Sequence, residues 1–198
     1  VLFDELGEII SSSSTSSMRF ERRADKLEEF DLSVLWNLIS DCIKRVIDNS
    51  GVDSKDIKGI GVTSFGNGLV FLGKDGEIIA PGVFSNDYRA NNIIDLYDKE
   101  GSLDKINNIV KGDLFAGEPG PLLRWYKEYD IPTYDKIESI LMFKDYIMYK
   151  LTGEFATDLN CFGGSFMVDL ETGEYSKELM QLYGIEDLSL IHISEPTR

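Results

Sequence analysis

The sequence is poor in the two residue types that build disulfide frameworks and cysteine–histidine metal sites. It holds two cysteines, Cys42 and Cys161, and one histidine, His192. Two cysteines are too few for a disulfide-stapled scaffold, and three such residues in all exclude a metal site built from several Cys and His ligands. Low cysteine usage without disulfides is typical of the reducing cytoplasm, which is the location we expect.

Basic residues are also scarce: 20 Lys and Arg stand against 35 Asp and Glu, a net charge of −15. Nucleic acids and anionic membranes are both recognised through basic faces, so we expect neither as a partner. No stretch approaches the roughly 18 consecutive apolar residues of a membrane span, and no signal-peptide pattern opens the chain. The chain has 198 residues, of which 42% are hydrophobic. This is enough for one domain with one hydrophobic core.

The two ends of the sequence differ from the pattern between them. Residues 1–4 resemble the tail of a strand and residues 5–8 a hairpin turn, which predicts further sequence upstream. Residues 188–198 follow no helix or strand pattern, and one choice of codons for them reads as a sequencing-library adapter in frame. We therefore expect residues 1–187 to form a partial domain and residues 188–198 to be a translated adapter, with a natural tail as the alternative. Because His192 lies in that tail, no catalytic histidine is inferred.

Hydrophobic periodicity and turn residues predict an α/β domain. Apolar residues at three- and four-residue steps predict a helix over residues 33–50, with Asp31 or Ser33 as its cap and Gly51 at its end. Apolar and β-branched runs predict buried strands, and these cover residues 57–64, 69–72 and 137–142. Further helices are expected near residues 88–97, with Asp87 as the cap, and near 102–110, 122–129, 144–151 and 176–184.

Three other segments have weaker patterns. The Asp75-Gly76 pair predicts a hairpin turn after the strand at residues 69–72. Residues 11–17, almost all serine, are interpreted as an edge strand that continues a hairpin, with a flexible linker as the alternative. The charged segment 20–30 is predicted to be a solvated loop.

Polar side chains that follow predicted strands form the candidate binding site. Asn67 lies between Gly66 and Gly68 after one strand, and Asp87 and Arg89 follow another short apolar run. In α/β folds, ligands bind beyond the carboxyl ends of strands. An amide, a carboxylate and a guanidinium together suit a neutral polyol, because hydroxyls both donate and accept hydrogen bonds. The alternative is structural: a turn Asn, a helix-capping Asp and a surface Arg.

Five segments, taken in order, resemble the N-terminal domain of the FGGY carbohydrate kinases, the family of xylulokinase, ribulokinase, gluconokinase and glycerol kinase. Residues 57–63 resemble the strand before the family's sugar loop, and residues 66–72 take the place of its Gln-Met-His-Gly run. Residues 81–90 are similar to the pattern Pro-Ala-Ile-x-Trp-x-Asp-x-Arg-Ala. Residues 117–125 resemble a family signature, and residues 144–158 resemble its Lys-Asp, Leu-Thr-Gly-Glu and Thr-Asp stretch.

The resemblance implies an RNase H-like (actin-like ATPase) domain, a mixed sheet flanked by helices, in a kinase that moves the γ-phosphoryl group of ATP with Mg²⁺ to a sugar hydroxyl. It carries Gly66, Asn67, Asp87 and Arg89 over as substrate-binding residues. The family's phosphate loop would lie upstream of residue 1 and its general-base Asp beyond residue 187. The resemblance thus implies that this chain holds no catalytic, ATP-binding or metal-binding residue and is inactive as a partial protein. For the full-length protein it implies a possible homodimer.

The sequence also departs from the family pattern at three places. Ser85 replaces the usual Trp, Gly66-Asn67 replaces Met-His, and Leu122 stands where Lys is usual. These departures favour a linear ketose or polyol of the L-xylulose type over D-xylulose. The alternative function is a non-catalytic sugar-binding or interaction module on the same fold.

Overall fold

A computed structural model of the chain describes residues 1–16, 21–22 and 28–185. Residues 188–198, interpreted above as an adapter tail, lie outside this range, as does Ser17 of the predicted edge strand. The strands are β1 (Leu2–Phe3), β2 (Ile9–Ser11), β3 (Glu21–Arg22), β4 (Glu28–Phe30), β5 (Val70–Leu72), β6 (Gly82–Val83), β7 (Ser139–Leu141), β8 (Val168–Asp169) and β9 (Glu174–Tyr175). The helices are α1 (Leu32–Ser50), α2 (Asn91–Glu100), α3 (Leu103–Val110), α4 (Pro119–Tyr129), α5 (Ile131–Tyr134), α6 (Phe143–Thr152), α7 (Leu159–Gly163) and α8 (Lys177–Tyr183).

Within the described residues, the strands form four short antiparallel sheets, and one backbone bridge links two of these sheets to each other. β1 pairs with β2, and β8 with β9, as local hairpins. β4 lies between β3 and β6, while β5 pairs with β7 in the register Val70 to Leu141. Leu69 and Val83 exchange backbone hydrogen bonds of 2.9 and 2.8 Å, which joins β6 to the start of β5.

The two faces of β5 contact different helices. Leu69 and Phe71 point into a large core with α2, α3, α4 and α8, whereas Val70 and Leu72 point into a smaller core with α1 and α6. This follows from the two-residue side-chain period of a strand, and it explains why an unbroken apolar run forms β5. All four residues are fully buried. The α/β architecture predicted from the sequence is confirmed.

Most predicted helix boundaries are confirmed by their caps. The Asp31 carboxylate accepts from the backbone N–H groups of Ser33 and Val34, and Gly51 ends α1 in the left-handed conformation. Ser176 caps α8 through a 3.2 Å hydrogen bond from Leu179 N–H. A side-chain oxygen at this position satisfies one of the donors that a helix start leaves open. The turn at Asp75-Gly76 is also confirmed: it closes the hairpin in which Leu72 pairs with Ile78.

The predicted strand over residues 57–64 is wrong. Within the described part of the chain no strand pairs with this segment, and Ile60 is exposed. An apolar cleft of about 810 Å³ lies beside it, with the apolar stripe of α1 among its walls. A β-branched run needs a partner strand to form a ladder, so sequence propensity alone does not make it a strand.

Three further expectations need correction. The segment 20–30 is not a loop throughout, because Glu28–Phe30 form β4 and Phe30 is buried in the smaller core. The edge strand predicted over 11–17 ends at Ser11 in the described residues. Asp87 caps no helix: α2 begins three residues later than expected, with Ala90 at its N-cap position. The Asp87 side chain bonds Arg89 instead.

We expect Gly82→Ala to destabilise the chain, since a Cβ at this position in β6 would overlap the ring of Phe30. Overpacking of this kind costs about 1–3 kcal/mol of unfolding free energy. The matched control is Gly59→Ala, because an added Cβ there meets no atom within 4 Å. Urea denaturation of both variants measures the difference, and equal midpoints would contradict the packing of β6 against Phe30.

Candidate functional site

A buried guanidinium group lies at the centre of the first cluster of predicted site residues. Arg89 donates from Nε to Asp87 Oδ1 and from Nη2 to Asp87 Oδ2, each at 2.9 Å. It also donates from Nη2 to Glu29 Oε1 at 2.8 Å and from Nη1 to the Tyr126 hydroxyl at 2.7 Å. The guanidinium carbon lies 5.2 Å from the ring centroid of Trp125. One side chain therefore joins β4, the loop after β6 and helix α4.

This cluster is closed to solvent. The Asp87 side chain is fully buried and that of Arg89 is 3% exposed. Burial opposes the charged guanidinium, but the hydrogen bond to Asp87 and nearby negative charge outweigh it and raise the pKa of Arg89 above its usual value. Asp87 and Arg89 are thus engaged with each other, and their predicted contact with a sugar stays a prediction.

The second cluster lies in the loop between residues 65 and 68. Phe65 anchors this loop, because its ring packs on Phe84 and Phe143 with centroid distances of 5.0 and 4.4 Å. Asn67 adopts a positive φ of 58°, which Asn tolerates better than most residues. Gly68 follows with φ 89°, and a Cβ on it would lie 2.7 Å from the Val83 carbonyl oxygen. The loop can pass this close to β6 only because residue 68 is glycine.

The Asn67 side chain reaches a carboxyl group far away in sequence. Asn67 Nδ2 donates to Glu118 Oε1 at 2.8 Å, across 51 residues. Glu118 is 1% exposed, and burial raises the pKa of its carboxyl to about 8. Its second oxygen, Oε2, is buried and has no hydrogen-bond partner. An unsatisfied buried polar group costs about 1–3 kcal/mol, which marks Glu118 as a residue that requires an explanation.

The local sequence explains why Glu118 is not satisfied by its own helix. Glu118 is the N-cap residue of α4, where a side-chain oxygen ordinarily accepts from the next backbone N–H groups. Here Pro119 and Pro121 carry no N–H, so two of the first three donors of the helix are missing. Glu118 makes no side-chain capping bond. The Gly-Glu-Pro-Gly-Pro sequence therefore leaves a carboxyl group at the helix start without a local partner.

The structure separates the four predicted substrate-binding residues into two groups. Gly66 and Asn67 lie in the exposed loop, with Asn67 held by Glu118, while Asp87 and Arg89 lie in the buried cluster. Glu118 and Tyr126, the anchors of the two groups on α4, are eight residues apart, about 12 Å along the helix axis. The sequence analysis missed Glu118, Glu29 and Tyr126. An acidic residue between Gly and Pro, with no basic residue near it, was the available signal for Glu118.

A third polar network holds the segment after α6. Thr157 Oγ1 donates to Asp145 Oδ2 at 2.8 Å, and Lys144 forms an ion pair with Asp158, which also caps α7. Asp145 is 2% exposed, and burial raises the pKa of its carboxyl against the opposing hydrogen bond from Thr157. These carboxylates have partners within the chain, so the network holds the start of α7 against α6.

Two absences hold for the described part of the chain. Over residues 1–16, 21–22 and 28–185, no three His, Cys, Asp or Glu side chains are grouped so that they could hold a metal ion. No helix in these ranges is long and apolar enough to cross a membrane.

The fold and the order of motifs are those of a sugar kinase N-terminal domain of the RNase H-like class. The model of the FGGY family of carbohydrate kinases, N-terminal domain, matches residues 1–197. The chain belongs to this family. The solved structure of a ligand-bound xylulose kinase from Lactobacillus acidophilus superposes with a TM-score of 0.90 at 23% identity, covering 100% of this chain and 40% of that one.

Curated relatives are similar over most of the chain. A protein named "Probable L-xylulose kinase" from Haemophilus influenzae is 33% identical over 80% of this chain and 33% of its own length. The L-xylulose/3-keto-L-gulonate kinase of Escherichia coli is 30% identical over 81% of this chain and 32% of its own length. The chain thus spans about a third of the length of these relatives.

We expect Arg89→Ala to destabilise the chain strongly, because it removes the guanidinium group that pairs with the buried Asp87 carboxylate. Breaking a buried pair in this way costs about 3–5 kcal/mol of unfolding free energy. Arg45→Ala, on an exposed position of α1, is the matched control and should change stability by no more than about 0.5 kcal/mol. Chemical denaturation of both variants measures this, and a small effect of Arg89→Ala would show that the cluster does not hold the fold.

We also expect Glu118→Gln to stabilise the chain increasingly as the pH rises from 5 to 8. Above pH 4.5 the unfolded carboxyl loses a proton that the folded one keeps up to about pH 8, so the wild-type unfolding free energy falls over this window. The slope of this contribution is up to about 1.4 kcal/mol per pH unit, and glutamine lacks it.

Denaturation curves at several pH values measure the difference between Glu118→Gln and wild type, in which the titration of all other groups cancels. Glu171→Gln, in an exposed turn, is the control and should show a nearly constant difference. A constant difference for Glu118→Gln as well would mean that this carboxyl is not held neutral.

Proposed function

We propose that the protein to which this chain contributes its N-terminal domain is an ATP-dependent kinase for a linear ketose or polyol. On this proposal the chain binds the sugar. The observation that supports this proposal is the family membership of the chain, together with relatives at 30–33% identity that are named L-xylulose kinases. The departures at Ser85, Gly66-Asn67 and Leu122 from the commoner pattern support an L-xylulose-type acceptor over D-xylulose.

The role that we propose for this chain in the reaction is to position the sugar. In phosphoryl transfer an acceptor hydroxyl oxygen bonds the γ-phosphorus while the bond to the ADP oxygen breaks, and catalysis depends mostly on alignment and charge stabilisation. Asn67 presents an amide at a partly exposed position, where it can donate to one sugar hydroxyl and accept from another. The buried Asp87–Arg89 cluster fixes the loop after β6 that lies beside residue 68.

ATP and Mg²⁺ are implied by the family, with the metal neutralising phosphate charge during transfer. Among the described residues no three His, Cys, Asp or Glu side chains are grouped as ligands, and the resemblance implies no metal-binding residue in this chain. We therefore assign none of these residues to the metal, and we propose that the chain alone is inactive as a kinase. Cytoplasmic location and a homodimer of the full-length protein are further parts of this proposal.

The test is ADP release by the full-length protein with a panel of pentuloses, hexulosonates and linear polyols. We expect sugar-dependent ADP formation with at least one ketose or polyol, and none with this chain alone. Binding of a sugar by the full-length protein without any ADP release would favour the sugar-binding module instead. Sugar-dependent ADP release by the isolated chain would overturn its assignment as inactive.

A further inference from the structure

Glu118 is a buried carboxyl group outside the four predicted substrate-binding residues. Its Oε1 accepts from Asn67 Nδ2 at 2.8 Å, and its Oε2 is buried without a partner. Among the described residues only one other buried side-chain atom, the Tyr175 hydroxyl, is in the same condition. Natural folds satisfy almost all such groups, and the exceptions concentrate where a ligand or ordered water completes the bonding. The free oxygen of Glu118 is therefore a place for a ligand atom.

The chemistry of this group matches a hydroxyl. Burial raises the pKa of the Glu118 carboxyl to about 8, so at neutral pH it is an acid with one O–H donor. With Oε1 occupied by Asn67, the remaining capacity to bond lies at Oε2. A sugar hydroxyl can accept from an O–H and donate in turn to a neighbouring amide oxygen, which a methyl group or a hydrogen cannot do.

The surroundings of Asn67 leave room for such a ligand to approach. Asn67 is partly exposed, and a Cβ added to Gly66 would meet no atom within 4 Å. On another side, the Asn67 Oδ1 atom lies 3.9 Å from the place that a Cβ of Gly164 would occupy. Behind the pair, a Cβ on Gly117 would overlap the backbone of Ser85, so the segment that carries Glu118 is pressed against the loop after β6. The segment that carries Glu118 is therefore closely packed, whereas the Asn67 side of the pair is accessible to a ligand.

We propose that Glu118 is a specificity-determining residue of the acceptor site, whose second carboxyl oxygen bonds one hydroxyl of the linear ketose or polyol next to the contact made by Asn67. This inference rests on the proposed function. It assigns the Asn67–Glu118 pair as the group that contacts the sugar, rather than the Asp87–Arg89 pair, whose polar atoms are bonded to each other. A site built to bond a hydroxyl rejects the analogue that lacks it, because the buried partner is then left unsatisfied.

The test compares Glu118→Met with Glu118→Gln in the full-length protein. Methionine keeps the length of the side chain but removes both carboxyl oxygens. A structural role would tolerate this change, because the Asn67 amide that loses its acceptor is partly exposed and can bond water instead. We expect Glu118→Met to raise the KM for the sugar by about 10- to 100-fold, the loss expected for one buried hydrogen bond, with the KM for ATP unchanged. Glu118→Gln retains a donor and an acceptor and should stay within about 5-fold of wild type.

Deoxy analogues of the accepted sugar give a second readout that a structural role would not move. Wild type should discriminate against one monodeoxy analogue by about 100-fold or more in kcat/KM, and Glu118→Met should reduce that ratio to below about 10-fold. Glu128→Gln, an exposed position on the same helix, is the control and should leave both values unchanged. The melting temperature of each variant identifies any loss of folding.

The outcomes separate the two proposals. Wild type and Glu118→Met could release ADP at the same sugar-dependent rate and with the same selectivity. This result would overturn the role of Glu118 but would still support the proposed kinase activity. A raised sugar KM in Glu118→Met with retained melting temperature and rescue by Glu118→Gln would support both. If the wild-type protein neither binds nor phosphorylates any ketose or polyol, both proposals fail together.

Discussion

The domain depends on one buried positive charge. Arg89 is bonded to Asp87, Glu29 and Tyr126, so a single guanidinium fixes the distance between β4, the loop after β6 and α4. A buried arginine is tolerable only when its donors are taken and its charge is balanced, and the planar fork of the guanidinium suits a carboxylate on two of its nitrogens. Glu29 and Tyr126 lie 60 and 37 residues away from Arg89 in the sequence, on opposite sides of it, so this cluster sets the positions of the loops between these elements.

Strand β5 and the helices packed on it support the polar residues of the candidate site. β5 is buried on both faces, with helices α2, α3, α4 and α8 on one side and α1 and α6 on the other. The loop that carries Asn67 leads directly into this strand, and the aromatic contacts of Phe65 hold it against Phe84 and Phe143. The polar site is therefore positioned by packing on both sides rather than by bonds within the loop itself. A well-packed frame of this kind lets a loop residue keep a positive φ.

Local patterns predicted most helices and the Asp75-Gly76 turn, because caps, periodicity and turn residues act over a few positions. They failed at residues 57–64, where strand formation needs a partner that no local pattern supplies, and at Phe30, whose burial depends on β6. For the site, the sequence analysis placed Asn67 correctly in a loop, but spacing could not show that Asp87 and Arg89 bond each other in the interior. Glu118 was missed because its significance arises only when Asn67, 51 residues away, is placed against it.

The two polar clusters at α4 differ in how many of their buried polar atoms have hydrogen-bond partners. This difference separates a structural residue from one that binds a ligand. At Tyr126 the cluster is closed: each guanidinium nitrogen of Arg89 donates to a carboxylate or hydroxyl of the chain itself. At Glu118, two turns earlier, the helix start lacks donors because of Pro119 and Pro121, and one carboxyl oxygen is left over. A ligand hydroxyl gains most where it satisfies a buried group that the fold itself leaves unsatisfied. On the proposed function, the closed cluster holds the frame, and the cluster with the unsatisfied carboxyl oxygen contacts the sugar.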